Sequence, residues 1–462
     1  MVPLVGVPET IRRGLAPYRE VFCRAEGFDH VSRYVTGLLL SPNKTLQGLY
    51  DAQVWESGAP RSRRAMPEAV FEAGWAADAL MPHHRAVIAG AHRGCGREVI
   101  SLDWTYAHHE RGPKIWGVKK AWDHVQQRLA PYQTVVTAVI ANRGRLDGIE
   151  ALVQPPSRQD QELAYLQETG RASYTQLEEA RERVLELLHH RVHGLGYKKR
   201  TELALDIVQQ LEQEGHFPSA HYAFDHGVLS LELSRGIERA GKHWVSELEC
   251  SRHIQWQGQW QRVDTVAHTL RQAHPESFRA VRGHCRNGQT KLFWVFTKVV
   301  RLKRYGRKRL VIVHEQQALG DTPRFLLTDA LHWDSRRVIE TWSYRWTSEI
   351  FHEFAKQVCG LEAAQVRKEE AVKRHFRLSC VAQSLLQQAP ASGAETERFA
   401  FAQGTITIGQ KVRTIARDAL QSLLKLVEQL FAQGHSCEHI LGVSPPYTFF
   451  LLNGDMELNR NR

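Results

Sequence analysis

Long apolar runs are what this chain of 462 residues most plainly lacks. No stretch approaches the roughly 18 apolar residues that a membrane-spanning helix needs. Cysteines are few and scattered: Cys23, Cys95, Cys250, Cys285, Cys359, Cys380 and Cys437 form no C-x-x-C pair and are odd in number. That suits reduced thiols and argues against a disulfide framework. His435, Cys437 and His439 alternate in HSCEH, but without a second cluster they do not make a zinc site. The opening MVPLVGVPETIRRGL has only a short apolar run before its arginines and does not read as a signal peptide, so a cytoplasmic protein is expected. No internal repeat is visible. Acid is in deficit, with 61 Lys and Arg against 50 Asp and Glu, for a formal charge of +11. The excess suggests an acidic polymer as partner, nucleic acid ahead of membrane.

What is present is enough apolar side chain for a large core: 42% hydrophobic and 9% aromatic residues exclude global disorder and allow two or three domains. Residues 1–95 read as a helical module, with segments such as YREVFCRAEGFDHVSRYVTGLLL interrupted by SPNK and GAPRSRR. The period then shortens. REVISLDWTYA, TVVTAVIANRG and GIEALVQPP are β-branched runs closed by Gly, Asn or Pro, and read as a three-strand meander. A charge-dense stretch and the amphipathic KKRTELALDIVQQLEQEG follow. SAHYAFDHG reads as a strand, SLELSRGIERAG as a helix and KHWVSELEC as a strand, giving the succession β-β-β-α-β-α-β. Strand signals rich in Trp and basic residues occupy 252–328, helices fill 329–388, and QQAPASGAET reads as a linker to a helical C-terminal segment, 395–462.

Within the helical part, TWSYRWTSEIFHEFAKQ (341–357) carries more polar residues than packing requires. On one continuous α-helix Trp342, Arg345, Glu349 and Lys356 fall within an arc of about 60°. Trp346, Ile350, Phe351, Phe354 and Val358 form a separate apolar face. The bland reading of the stripe is an i,i+4 salt-bridge ladder. The chemical one needs two further acids at strand ends. Asp103 closes the apolar run VISLD and Asp225 closes HYAFD. Each alone reads as a strand-end cap; together with Glu349 they make an acidic triad suited to hard divalent cations, Mg2+ above all. Asp123, Asp329 and Asp334 are rivals that spacing does not dismiss.

The segment Trp342-x2-Arg345-x3-Glu349-x6-Lys356 resembles the Y-x2-R-x3-E-x6-K signature of bacterial DDE insertion-sequence transposases, with Trp in place of Tyr. Its surroundings, RW-x-x-E-x-F ending in KQ, are similar too. So are the first-aspartate block LDWTYAHHERGPKIWGVKKAWDH, the YAFDHG block and KRHFRLSCVAQSL, so that the likeness covers roughly residues 97 to 385. The resemblance implies a mixed α/β fold: an RNase H-like catalytic core (96–251 and 329–388) with a β-rich insertion (252–328), flanked by N- and C-terminal helical segments that bind DNA or mediate dimerisation. It implies Asp103, Asp225 and Glu349 as ligands of two Mg2+ ions, replaceable by Mn2+, and Arg345 and Lys356 as holders of a transposon-end phosphate, with Trp342 in the place of a phosphate-contacting Tyr. The implied activity is cleavage and strand transfer on double-stranded DNA by a homodimer associated with the nucleoid.

The insertion adds its own signal. RLKRYGRKR places Arg301, Lys303, Arg304, Arg307, Lys308 and Arg309 about a Tyr305-Gly306 turn, which reads as a hairpin tip for phosphate. Trp256, Trp260 and Trp294 are candidates either for stacking on an extruded base or for core packing. Two other functions fit the same residues: a transposase-derived protein that grips DNA without cutting it, and an RNase H-like nuclease or resolvase that cuts without joining.

Overall fold

The β-branched runs pair into one sheet. The computed structural model describes residues 3–54, 62–109, 114–123, 127–157, 177–189, 197–286, 288–363, 366–391 and 407–443. Most of the charge-dense stretch before 197, the second half of the linker and the last residues of the chain lie outside them. The sheet has 12 strands: β1 (Val99–His108), β2 (Val118–Asp123), β3 (Arg128–Ala141), β4 (Leu146–Val153), β5 (His221–Phe224), β6 (Trp244–Glu247), β7 (His253–Trp256), β8 (Gln259–Arg262), β9 (Arg279–His284), β10 (Thr290–Leu302), β11 (Gly306–His314) and β12 (Arg324–Thr328). Their order is β8-β7-β10-β11-β12-β6-β5-β1-β3-β2, with β4 also paired to β3 and β9 to β10. Only β1–β5 and β5–β6 are parallel within this sheet. Helical crossovers reach those parallel pairs, as parallel pairing demands.

Two features of the strand reading change. The β-rich insertion continues the sheet of the core, because β12 pairs antiparallel with β6. It also contains a helix, Val263–Ala273, and the strand β9, neither of which the Trp and Arg pattern signalled. β2 was likewise not expected. Its KKAWD run is too polar to look like a strand until it is paired with β3.

Helices cover the meander. The helix Glu369–Gln388 is apolar on two sides: Val372, Phe376 and Cys380 pack toward the strands, while Leu378, Val381, Leu385 and Leu386 pack against Ile11, Tyr34, Leu38 and Phe71 of the N-terminal helices. The N-terminal helices therefore share one core with this helix and with Ile415 of the C-terminal helix Ile408–Ala432. Among the described residues no helix is long and apolar enough to cross a membrane.

Candidate active site

Strand register brings two acids side by side. β1 and β5 run parallel with Leu102 opposite Phe224, so Asp103 and Asp225 are the next residues along neighbouring segments, about 5 Å apart at the backbone. Asp103 does not end its strand, contrary to the sequence reading. β1 continues to His108 along β3, and it is β5 that stops. The backbone N–H of Trp104 donates to Asp103 Oδ1 at 2.8 Å and that of Val228 to Asp225 Oδ1 at 3.1 Å. Ser246 on β6 donates to the Asp225 carbonyl at 3.1 Å.

The third acid is set by contacts on the other residues of its helix. The stretch 341–357 is not one helix: Ser335–Trp342 ends, Ser343–Arg345 tightens into a 3-10 turn, and Trp346–Gln357 begins anew. Ser101, two residues before Asp103 and on the same face, donates to the Arg345 carbonyl at 3.0 Å and accepts from Ser348 at 2.7 Å. Thr137 of β3 meets His352 at 2.8 Å. Gly148 of β4 leaves room for the Phe351 ring, which would lie 2.3 Å from any Cβ there. The buried face is thus Thr347, Ser348, Phe351, His352 and Ala355, while Trp346 is 56% exposed. The apolar face expected from the wheel is corrected, because the strands beneath accept small and hydroxyl side chains at close range. His352, buried, is pushed down to about 3 and stays neutral.

Glu349 stands at this junction with its carboxylate on Arg345 at 2.7 Å. Its charge reaches Asp103, whose pKa is raised to about 7. Burial is the largest cause, followed by the Asp225 charge; Trp104 N–H and Arg345 oppose, and Glu349 adds to the rise. The three acids thus form one electrostatic unit with Arg345 inside it. Among the described residues, however, no three His, Cys, Asp or Glu side chains are already gathered into a metal cage. Lys356 donates to the Tyr106 carbonyl at 2.7 Å and pairs with Glu362 at 3.1 Å.

Trp342 leaves the stripe. It ends the helix that packs on the insertion, against the cluster of Phe293, Val313, Leu326 and Ile339, with Arg324 over its ring at 5.0 Å and Arg345 at 5.8 Å. Its indole nitrogen is buried without an acceptor. Of the rivals, the Asp123 side chain lies outside the described residues, and the other two take structural posts. Asp329 accepts from Trp244 N–H at 2.9 Å and meets His243 at 2.7 Å, and Asp334 caps the helix Ser335–Trp342 through Arg337 N–H at 2.7 Å.

In the basic hairpin Lys303, Arg304 and Tyr305 form the turn, Arg304 and Gly306 having positive φ. Arg301, Lys303, Arg304 and Arg307 are exposed. Lys308 is not: it is buried and paired with Glu238 at 3.1 Å, and Arg309, half-buried, donates to the Leu331 carbonyl. Strand alternation turns Lys308 inward, which a count of charges cannot reveal. Of the insertion tryptophans, Trp256 is buried under Lys298 at 4.3 Å, Trp294 is half-buried and packed, and Trp260 is 46% exposed. Sequence reasoning missed Ser101, Ser348 and Gly148, small residues whose roles exist only across strands. Neither protein-family models nor curated proteins provide a match to this chain.

Proposed function

We propose that this protein is a DNA transposase of the DDE type, built on an RNase H-like core, which binds the ends of a mobile element, hydrolyses DNA and joins the freed 3′-hydroxyl to a target. One observation carries the reading. Asp103 on β1 and Asp225, just past the end of β5, are neighbours, Glu349 is held nearby through Arg345, and burial, followed by the charges of Asp225 and Glu349, lifts Asp103 to about 7. A carboxylate kept that reluctant to ionise is stabilised by added positive charge. The antiparallel β1-β3-β4 meander, continued by two parallel strands through helices, is the succession expected of such a core.

The donor set fits a hard divalent cation, since all three groups are carboxylates and the field between them is negative. Asp103, Asp225 and Glu349 would hold it. Two such ions supply Lewis-acid stabilisation of the attacking and leaving oxygens in an in-line phosphoryl displacement. The chain's own residues do the rest. Arg345, released from Glu349, presents a planar guanidinium to a phosphate; Lys356 offers a point charge from the far end of the helix that follows it. Ser101 and Ser348 hold the helix on the strand so that acid and guanidinium keep their spacing.

A second reading, a DNA-binding protein that does not cut, is favoured by the Arg345–Glu349 ion pair and the ungathered triad. Incubation of the protein and its Asp225→Ala variant with Mg2+ and DNA carrying the element's own flanks separates the readings. The expected result is cleavage and joining by the wild type and loss of both, by at least about a hundredfold, in the variant. Equal activity in the two proteins would sink the assignment. DNA binding with no cleavage by the wild type would establish the second reading, and cleavage without joining would identify a nuclease.

A further inference from the structure

β1 and β3 overrun the catalytic edge. β5 stops at Phe224, so residues 103–108 extend past it with only β3 as a neighbour. Along one face of this overhang lie Trp104, Tyr106 and Tyr132, the face opposite to the one that Asp103 shares with Ser101. Lys119 of β2 stands directly across from Tyr132. Arg200, at the start of the helix Arg200–Glu214, stacks its guanidinium 4.2 Å from the Trp104 ring and donates to the Tyr106 hydroxyl at 3.3 Å. Tyr106 and Tyr132 lie 4.5 Å apart, and the Lys119 ammonium is 5.7 Å from the Tyr132 ring. The Trp104 ring also borders the site itself: a Cβ on Gly227 would sit 3.3 Å from both that ring and Asp225 Oδ1.

Neither cation meets a carboxylate among the described residues: Arg200 has the aromatic pair, and Lys119 has Gln154 Oε1 at 2.8 Å. Burial and then the Arg200 charge push Lys119 below its ordinary pKa. Two half-buried cations that repel each other, each with neutral partners among the described residues, attract an anion. The half-buried Trp104 and Tyr106 rings, interleaved with the two cations, suit a nucleic-acid strand, whose phosphates meet the charges and whose bases or sugars lie on those two rings.

We propose that the Trp104–Arg200–Tyr106–Lys119 face, with the buried Tyr132 ring beneath it, is a track for the DNA strand that leaves the Asp103–Asp225–Glu349 site, on the side of the sheet away from Arg345. This rests on the transposase reading for its direction, though not for its charge. The test is fluorescence anisotropy of the full chain with a mixed-sequence DNA duplex and a mixed-sequence single strand over a range of salt. The variants are Arg200→Gln, Lys119→Gln, the double variant, Arg200→Lys and Trp104→Phe, each checked for an unchanged melting temperature. The double variant is expected to bind about tenfold more weakly, with the slope of log affinity against log salt shallower by about 1 to 2. Arg200→Lys is expected to recover the slope and only part of the affinity, since an ammonium stacks less well, and Trp104→Phe to keep the slope while losing part of the affinity, since a smaller ring stacks less. Double-variant binding with wild-type affinity and slope overturns the track alone and leaves the acids' role standing. A wild-type protein that binds neither probe overturns both. Inorganic phosphate that competes beyond its ionic strength would show an isolated anion site and also overturn the track.

Discussion

At the scale of single residues, Asp103 carries the clearest consequence. Its folded-state pKa of about 7 lies above the ordinary 3.8, so between those values the folded protein holds a proton that the unfolded chain has lost. Stability therefore falls as pH rises from about 4 to about 7 and stays at the lower level above. Asp103→Asn removes this penalty. Its melting temperature should match that of the wild type near pH 4.5 and exceed it at pH 8, whereas Mg2+ should raise the wild-type melting temperature at pH 8 and leave that of the variant unmoved. A wild-type curve flat across this window would show that the acids are not coupled. Trp342 yields a second expectation. With its ring in the insertion cluster and its N–H without an acceptor, Trp342→Tyr should leave DNA cleavage within a few-fold of wild type. Trp342→Ala should cost about 2–3 kcal/mol in urea unfolding, below the cost at a fully buried Trp. If both variants cut poorly while remaining stable, the residue serves the phosphate and not the core.

At the scale of elements, the helix Trp346–Gln357 decides the site, and its seat on the sheet depends on a missing side chain. Gly148→Ala would drive a methyl into the Phe351 ring and force the helix off β4, with a stability loss of about 1–3 kcal/mol, as overpacking typically costs. The loss of activity should exceed that, because Glu349 moves with the helix; Gly148→Ala combined with Phe351→Leu should recover part of both. Kinetics and denaturation on the two variants check this, and a single variant with full activity would show that the seat is loose. The element scale is also where the sequence reading misled. A helical wheel assumes one phase, and the 3-10 turn at Ser343–Arg345 resets it. Trp342 then belongs to the helix that packs on the insertion, and Glu349 to the helix that packs on β1 and β3.

At the scale of the whole molecule, a buried ionic network joins what the sequence divides into an N-terminal module and a core. Arg85, from the helix Ala77–His92, makes two hydrogen bonds of 2.6 Å to Glu214 and one of 2.9 Å to Glu150 on β4. Arg377 meets the other oxygen of Glu150 at 3.0 Å and also binds Asp78. Burial pushes Glu150 up, but Arg377 and Arg85 outweigh it and hold it ionised. Glu150→Gln should lower stability by about 3 kcal/mol, because two guanidinium groups lose a buried counter-charge. The loss should be nearly independent of salt, unlike DNA binding, since buried pairs are little screened. Calorimetry at low and high salt tests it; an unchanged melting temperature would mean that the N-terminal helices dock by apolar contact alone.

Sequence by itself determined most of the local quantities: where the main strands and helices run, though not β2, β9 or the helix Val263–Ala273, and which acids stand beside apolar runs, as Asp103 and Asp225 do. These follow from period and chemistry within a few residues. Tertiary structure decided what depends on neighbours distant in the chain. Register set Asp103 beside Asp225, though 122 positions separate their numbers. Strand alternation turned Lys308 inward to Glu238, and close approach made Gly148, Ser101 and Ser348 matter. The overhang of β1 past β5 created a face for Trp104 and Arg200 that no spacing announces. Periodicity records which way a side chain points along its own element, whereas a site is made by the lateral pairing of elements. That pairing is written in hydrogen bonds and packing between segments that the chain keeps far apart.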